Sequence, residues 1–217
     1  MRRFLTLNSL IIVLLSASCS NPYKALERQK NKESALRFKP DFDKVIYRAI
    51  VDGGFLFKKY HISGLLIIKQ LENGTKRAVL QNEMGPVLFD FEWQSNGVFE
   101  VKEIMPDLNK EAVIKTLRKD FEILMMIGLD RGTEINYKQS RGKELYNRFS
   151  IAGGYVYYIS NGQELVRIEN ANNRKTVVTV NVDNFEKGTR VPKAVLIEHH
   201  KANFTISLNK IESDVNE

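Results

Sequence analysis

Cysteine, histidine and proline are scarce in this chain of 217 residues, which has one cysteine, three histidines and five prolines. The cysteine, Cys19, lies near the N-terminus, so the rest of the chain has no internal disulfide and its core alone must stabilise it. His199 and His200 are neighbours on a predicted strand, where their side chains point to opposite faces and cannot share a metal ion. No nucleophile elbow or phosphate-binding glycine loop occurs. We therefore expect no metal, no cofactor and no enzymatic activity.

Positive charge is in modest excess, with a formal net charge of +7. No run of lysine and arginine with interleaved aromatic residues occurs, so we expect no nucleic-acid partner. A modest positive charge suits a protein that works beside anionic lipid head groups, and it is also within the range that soluble surfaces carry.

Long hydrophobic runs are missing, and the apolar stretch Leu10–Leu15 is too short to span a bilayer. It follows a basic start and is followed by three small residues and Cys19, an order that predicts a secretory signal peptide over residues 1–18. The same residues resemble the lipobox of bacterial lipoproteins, with Ser16 where leucine is usual. That resemblance implies that Cys19 becomes an acylated N-terminus, with palmitate as a typical chain. An ordinary secreted protein with an unmodified Cys19 is the alternative.

Residues 19–40 are polar and highly charged, which predicts a lipidated cysteine followed by a tether, with a short helix over Ala25–Phe38. From residue 41 the composition becomes typical of β-structure, and residues 41–212 are predicted to form a single domain.

About ten runs rich in branched and aromatic residues predict strands, several of them joined by Asn-Gly turns. The runs are Val45–Val51, Tyr60–Leu71, Arg77–Leu80, Val87–Glu92, Val98–Met105, Tyr155–Ile159, Leu165–Glu169, Thr176–Val182, Val191–His199 and Phe204–Leu208. Residues 130–142 are polar and predict a loop.

One amphipathic helix is predicted over Leu108–Leu129, after Pro106 and with Gly128 near its end. The predicted fold class is therefore mainly β: a curled antiparallel sheet, or half-open β-barrel, of about ten strands with one central helix as a lid.

The hairpin link Gln81–Pro86 carries an apolar residue, Met84, at its tip beside Gly85. Hairpin tips face water, so an apolar tip is unusual. Two interpretations stay open: Met84 folds back onto its own sheet, or it protrudes and contacts a partner.

Apolar side chains are abundant enough to line a concavity between the sheet and the helix, where acyl chains could bind. The candidates are Phe89, Phe91, Phe121, Met125 and Tyr157. A plain dry core made of the same residues is the alternative.

The order of these features resembles the LolA/LolB superfamily: lipobox, tether, meander, central helix after a proline, then more strands. That resemblance implies a half-open β-barrel with a helical lid that carries or receives acylated lipoproteins in the periplasm. Asn82–Gly85 occupies the place of an Asn-Pro-Leu-Gly hairpin whose leucine touches the bilayer, so Met84 takes that membrane-contacting role and Glu83 replaces the proline.

The resulting expectation is an outer-membrane lipoprotein facing the periplasm, anchored through its N-terminal lipid. Its expected partners are lipid or lipoprotein acyl chains and a periplasmic carrier protein. The alternative is an anchored structural or adaptor subunit of an envelope complex, with a filled core and no ligand.

Overall fold

A computed structural model describes residues 21–30, 33–55, 58–140, 142–185 and 189–211. The predicted signal peptide and Cys19 lie outside the described residues. Within them, no helix has the length and apolar character needed to cross a membrane.

Within the described residues, thirteen antiparallel strands form one sheet. They are β1 (Leu26–Arg28), β2 (Lys44–Phe55), β3 (Lys58–Gln70), β4 (Lys76–Asn82), β5 (Val87–Trp93), β6 (Phe99–Ile104), β7 (Glu134–Gln139), β8 (Leu145–Ile151), β9 (Gly154–Ser160), β10 (Leu165–Ala171), β11 (Thr176–Phe185), β12 (Pro192–His199) and β13 (Phe204–Lys210). Their order is β1-β7-β8-β9-β10-β11-β12-β13-β2-β3-β4-β5-β6, so β1 and β6 are the two edges of an unclosed sheet.

The helix α1 (Glu111–Leu124) packs on one face of this sheet, because its apolar side chains join those of strands from β2 to β13 in a single buried cluster. Side chains alternate between the two faces along each strand, and those on the helix side contribute the sheet residues of the cluster. In β11, Val178, Val180 and Val182 are all buried on the helix side. The predicted fold class, mainly β with a curled antiparallel sheet and one central helix, is confirmed.

The helix is shorter than the predicted span of residues 108–129. Its first residue is Glu111, because residues 106–108 form a separate 3-10 turn that starts with Pro106. After Leu124 the chain leaves helical geometry, with Met126 at φ 52° and Gly128 at φ 73°. These left-handed residues end the helix and turn the apolar residues that follow it into the core.

Three strands lie where the sequence predicts none: β1 in the predicted tether, and β7 and β8 after the helix. β7 falls inside the stretch predicted as a loop, and β8 directly follows it. β7 is polar at its C-terminal end, so its sequence lacks the alternating apolar pattern that predicts a strand. Backbone pairing with β8 on one side and β1 on the other stabilises it.

The N-terminal segment, predicted as a tether, packs against the sheet from residue 21 onward. It contributes β1 and a 3-10 turn at Ala35–Phe38 in place of the predicted helix. The backbone N–H of Ala35 and the hydroxyl of Ser34 donate to the carboxylate of Glu134, at 2.8 and 2.7 Å. Ala35 is fully buried.

Candidate functional site

Four of the predicted groove residues meet in the space between α1 and the sheet. The rings of Phe89 and Phe91 stack at 4.6 Å, and the ring of Phe121 lies 5.7 Å from that of Phe89. Phe91 has no exposed surface, and Met125 is 1% exposed. These side chains therefore form a filled core under the helix, as the dry-core alternative describes.

Tyr157 lies on the opposite face of the sheet. Its neighbours Val156 and Tyr158 belong to the main core, whereas Tyr157 belongs to a second apolar cluster. Its ring stacks at 4.1 Å on that of Tyr23 from the N-terminal segment. Period-2 alternation requires this separation, since Tyr157 and Tyr158 are adjacent in one strand.

A buried polar pair joins the helix to the sheet. The carboxylate of Asp120 lies 2.8 Å from Nε2 of His199, and the two side chains are 2% and 5% exposed. The ring of His199 stacks on that of Phe204 at 3.9 Å. Burial raises the pKa of the Asp120 carboxyl, while the hydrogen bond and charge of His199 act to lower it.

Two further hydrogen bonds fix the C-terminal half of α1. The indole N–H of Trp93 donates to Glu122 at 3.1 Å, and the hydroxyl of Tyr158 donates to the carbonyl of Ile123 at 2.7 Å. The helix is thus held by β5, β9 and β12 together, and the space beneath it is closed.

A concavity of about 390 Å³ lies beside the helix, between α1 and the turn that joins β8 to β9. We refer to it as the helix groove. It is lined by Lys115, Arg118, Lys119, Glu122, Ile123, Ile127, Leu129, Ile151 and Ala152. Ile123 and Leu129 are buried and Ile127 and Ile151 are half-buried, so one side of the groove is apolar.

Three basic side chains of α1 line the other side of the groove. The Arg118 guanidinium donates to Glu122 at 2.7 Å and covers the ring of Phe99 at 4.6 Å. The Lys119 ammonium donates to the carbonyl of Ala152 at 3.3 Å, and burial lowers its pKa. With Lys115, which pairs with Glu111 at 2.6 Å, these residues form a basic border on which two of the three cations already have carboxylate partners.

The hairpin tip between β4 and β5 projects Met84 into solvent, with 91% of its surface exposed. The Asn82 side chain accepts from the backbone N–H of Met84 at 2.8 Å, and Gly85 closes the turn at φ 112°. Met84 therefore does not fold back onto its own sheet, and its contact with a partner stays a prediction.

Sequence reasoning missed the pairing of Asp120 with His199 and the groove beside the helix. The sequence did carry a signal for the pairing of Asp120. This residue falls on the apolar face of the helix beside Phe121, where a buried carboxylate needs a hydrogen-bond or charge partner. Among the described residues, no cluster of three or more histidine, cysteine or acidic side chains could hold a metal ion.

These features define a class of fold: one unclosed antiparallel sheet with a helix packed in its concave face. A scan of family models and a search of curated proteins find no match to the chain. Solved structures with a similar fold include a domain described as an outer membrane lipoprotein-sorting protein from Vibrio parahaemolyticus, with a TM-score of 0.49, 6% identity and coverage of 81% of this chain and 86% of that chain.

Two other solved structures match to a similar degree. A DUF1329 family protein from Desulfovibrio piger has a TM-score of 0.46 at 10% identity and covers 81% of this chain and 87% of its own. A LolA superfamily protein from Nitrosomonas europaea has a TM-score of 0.46 at 13% identity and covers 82% and 88%. The last belongs to the superfamily that the order of features in the sequence resembles, and the likeness concerns the fold alone.

Proposed function

We propose that this protein is a lipid-anchored protein of the bacterial cell envelope that binds an acyl chain of a lipid or of an acylated lipoprotein in the helix groove. The observation that carries the proposal is the groove itself, which combines an apolar side with a basic border. Its volume of about 390 Å³ lies within the range of small-molecule sites. Binding requires no covalent chemistry.

The two sides of the groove suit the two parts of such a ligand. Each methylene that leaves water contributes about 0.8 kcal/mol, so a chain lying along Ile127 and Ile151 is held by burial. A phosphate or carboxylate head group would meet the basic side chains at the border, with Lys119 nearest to the β8–β9 turn. In the finer form of the proposal, the anchored protein receives lipoproteins from a periplasmic carrier at the outer membrane.

We expect Ile127→Asp to weaken acyl-chain binding at least tenfold, because a carboxylate in the groove must be desolvated when the chain enters. Displacement of a fluorescent fatty acid from the purified full-length chain measures the effect. Leu196→Asp is the matched control, since Leu196 is 36% exposed on the other face of the sheet. Equal binding by the two variants would remove the groove from the function.

We expect Met84→Glu to slow delivery of a lipoprotein to outer-membrane vesicles without destabilising the fold. The side chain is exposed and makes no core contact, so the free energy of unfolding should change by about 0.5 kcal/mol or less. Val98→Glu is a suitable control, because Val98 is a half-exposed residue in a turn at the other end of the sheet. Unchanged delivery by Met84→Glu would exclude a role for the tip in transfer.

A second function, an anchored adaptor subunit without a ligand, is favoured by the filled core beneath α1. Mass spectrometry of the protein released from its native membrane distinguishes the two functions. Lipid or an acylated protein that leaves with the chain supports the first, and a stoichiometric protein partner with no lipid supports the second.

A further inference from the structure

The described chain begins at one particular place on the surface. The Asn21 side-chain amide donates to the carbonyl of Asn173, in the turn between β10 and β11, at 3.0 Å. Two residues further on, the Tyr23 hydroxyl donates to Glu169 at 2.5 Å and lies 2.8 Å from the hydroxyl of Thr176. Cys19 precedes Asn21 by two residues, and two residues of fully extended chain span at most about 7 Å, so the main chain of Cys19 is tied within that distance of the main chain of Asn21.

Three neighbouring hairpin ends meet beside that point. Six consecutive antiparallel strands of the sheet are β10, β11, β12, β13, β2 and β3. The turns of the hairpins β10–β11, β12–β13 and β2–β3 therefore lie at the same end of these strands. Two backbone hydrogen bonds connect them: His200 N–H to Val177 C=O at 3.0 Å, and Gly54 N–H to Asn203 C=O at 3.3 Å. We call this the turn surface: residues 172–175, residues 200–203, Gly53, Gly54, Lys59 and Tyr60.

The exposed charges of the turn surface are basic. Its exposed charged side chains are Lys59, Arg174, Lys175 and Lys201, and the exposed carboxylate of Asp52 beside Gly53 lies 2.7 Å from Nδ1 of His61. Tyr60 lies among them with 55% of its surface exposed, an aromatic side chain of the kind that resides at lipid head groups. The opposite ends of the same strands carry exposed residues of both signs, among them Asp43, Lys44, Glu72, Glu164 and Arg190.

We propose that the turn surface binds the anionic head groups of a phospholipid bilayer and that the docked N-terminal segment holds it there. The inference rests on the proposed lipid anchor at Cys19, because an anchor two residues before Asn21, which is bonded to Asn173, places this end of the sheet against the membrane. Positive charge near an anionic surface then adds attraction, and Tyr23 prevents the domain from swinging away on a loose tether.

The first test uses the chain without its predicted signal peptide, from residue 19 onward and with Cys19→Ala, so that neither the signal peptide nor an acyl chain contributes to attachment. Sedimentation with vesicles of phosphatidylcholine and phosphatidylglycerol measures the partition coefficient. We expect Arg174→Gln/Lys175→Gln to lower it about 30-fold, since each basic residue near such a surface contributes about 1 kcal/mol. Lys138→Gln/Lys143→Gln, which removes two exposed basic residues elsewhere on the sheet, should leave it unchanged.

The second test asks which side of the anchored protein faces the bilayer. A fluorophore is attached at Lys201→Cys on the turn surface or at Gln163→Cys in the β9–β10 turn at the other end, and lipids that carry a quencher report proximity. We expect quenching at position 201 and none at position 163. Equal quenching at the two positions, or equal partitioning of the two charge variants, would overturn the proposal.

The two tests separate this inference from the function on which it rests. Mass spectrometry reports whether Cys19 is acylated, and the fatty-acid assay with Ile127→Asp reports on the groove. A chain that binds fatty acid normally but shows no contact at position 201 contradicts the turn surface alone. A chain with an unmodified Cys19 that still sediments with anionic vesicles contradicts the anchor alone.

Discussion

Replacing Phe91 with alanine should lower the free energy of unfolding by about 3–5 kcal/mol. The side chain has no exposed surface, and its ring contacts those of Phe89, Trp93 and Phe99 at 4.6, 6.3 and 5.4 Å. Its removal leaves a cavity in the middle of an aromatic cluster that cannot collapse without moving β5. Urea unfolding followed by tryptophan fluorescence measures the loss.

This result also distinguishes a filled core from a ligand site under the helix. If Phe91 lined a vacant groove, truncation would alter lipid binding and cost little stability. Val79→Ala is the matched control in the neighbouring strand, because Val79 is half-buried on the other face and its truncation should cost much less. A loss below about 1 kcal/mol for Phe91→Ala would contradict the filled core.

Replacing Asp120 with alanine should cost about 3 kcal/mol or more and loosen α1 from the sheet. The substitution leaves the His199 imidazole buried without its partner, at a point where helix and strand are in contact. Urea unfolding gives the stability, and hydrogen exchange along α1 shows whether the helix is released. Asp130→Ala, an exposed acid just beyond the helix, should change stability by about 0.5 kcal/mol or less.

The pH dependence of stability gives a second measure of the same pair. Burial raises the pKa of Asp120 above its ordinary value of 3.8, so the folded chain retains a proton that the unfolded chain releases. The stabilising contribution of this carboxyl is therefore complete below pH 3.8 and is lost as the pH rises through the raised pKa. The stability of the wild type relative to Asp120→Asn should fall with rising pH in that window, and a rise would contradict the assignment.

A helix held by three strands has a consequence for the proposed function. The hydrogen bonds that Trp93, Tyr158 and His199 make with α1 oppose a mechanism in which the helix moves off the sheet so that cargo can bind beneath it. The helix groove needs no such movement, because it is open beside the helix and two of its apolar side chains, Ile127 and Ile151, are already partly exposed. Acyl chains would therefore enter along Ile127 and Ile151.

Local patterns in the sequence were sufficient for much of the fold. Alternation in Thr176–Val182 predicted a strand with one buried face, and the three- and four-residue spacing of apolar residues after Pro106 predicted the helix. Both kinds of prediction succeeded because the period of a helix or strand determines which of its side chains share a face. The tip at Met84 was recognised for the same reason, as an apolar residue between two strand patterns.

Positions that depend on distant partners could not be predicted in this way. β7 is a strand because β1 and β8 pair with it on either side, whereas its own sequence is too polar to predict a strand. The sequence predicts that Tyr157 lines a concavity between the sheet and the helix. In the structure it lies on the other face of the sheet, where its ring stacks on that of Tyr23. Asp120 and His199 are 79 residues apart, and no local period connects them.

The sequence by itself determined the class of fold, the positions of most strands and the single helix, because these follow from which neighbouring residues are apolar. Only the tertiary structure decided that the space under the helix is filled, that the open groove lies beside it, and that the N-terminal segment is docked with Asn21 against Asn173. The physical reason is that local period sets the face on which a side chain lies, whereas long-range pairing sets what lies opposite that face.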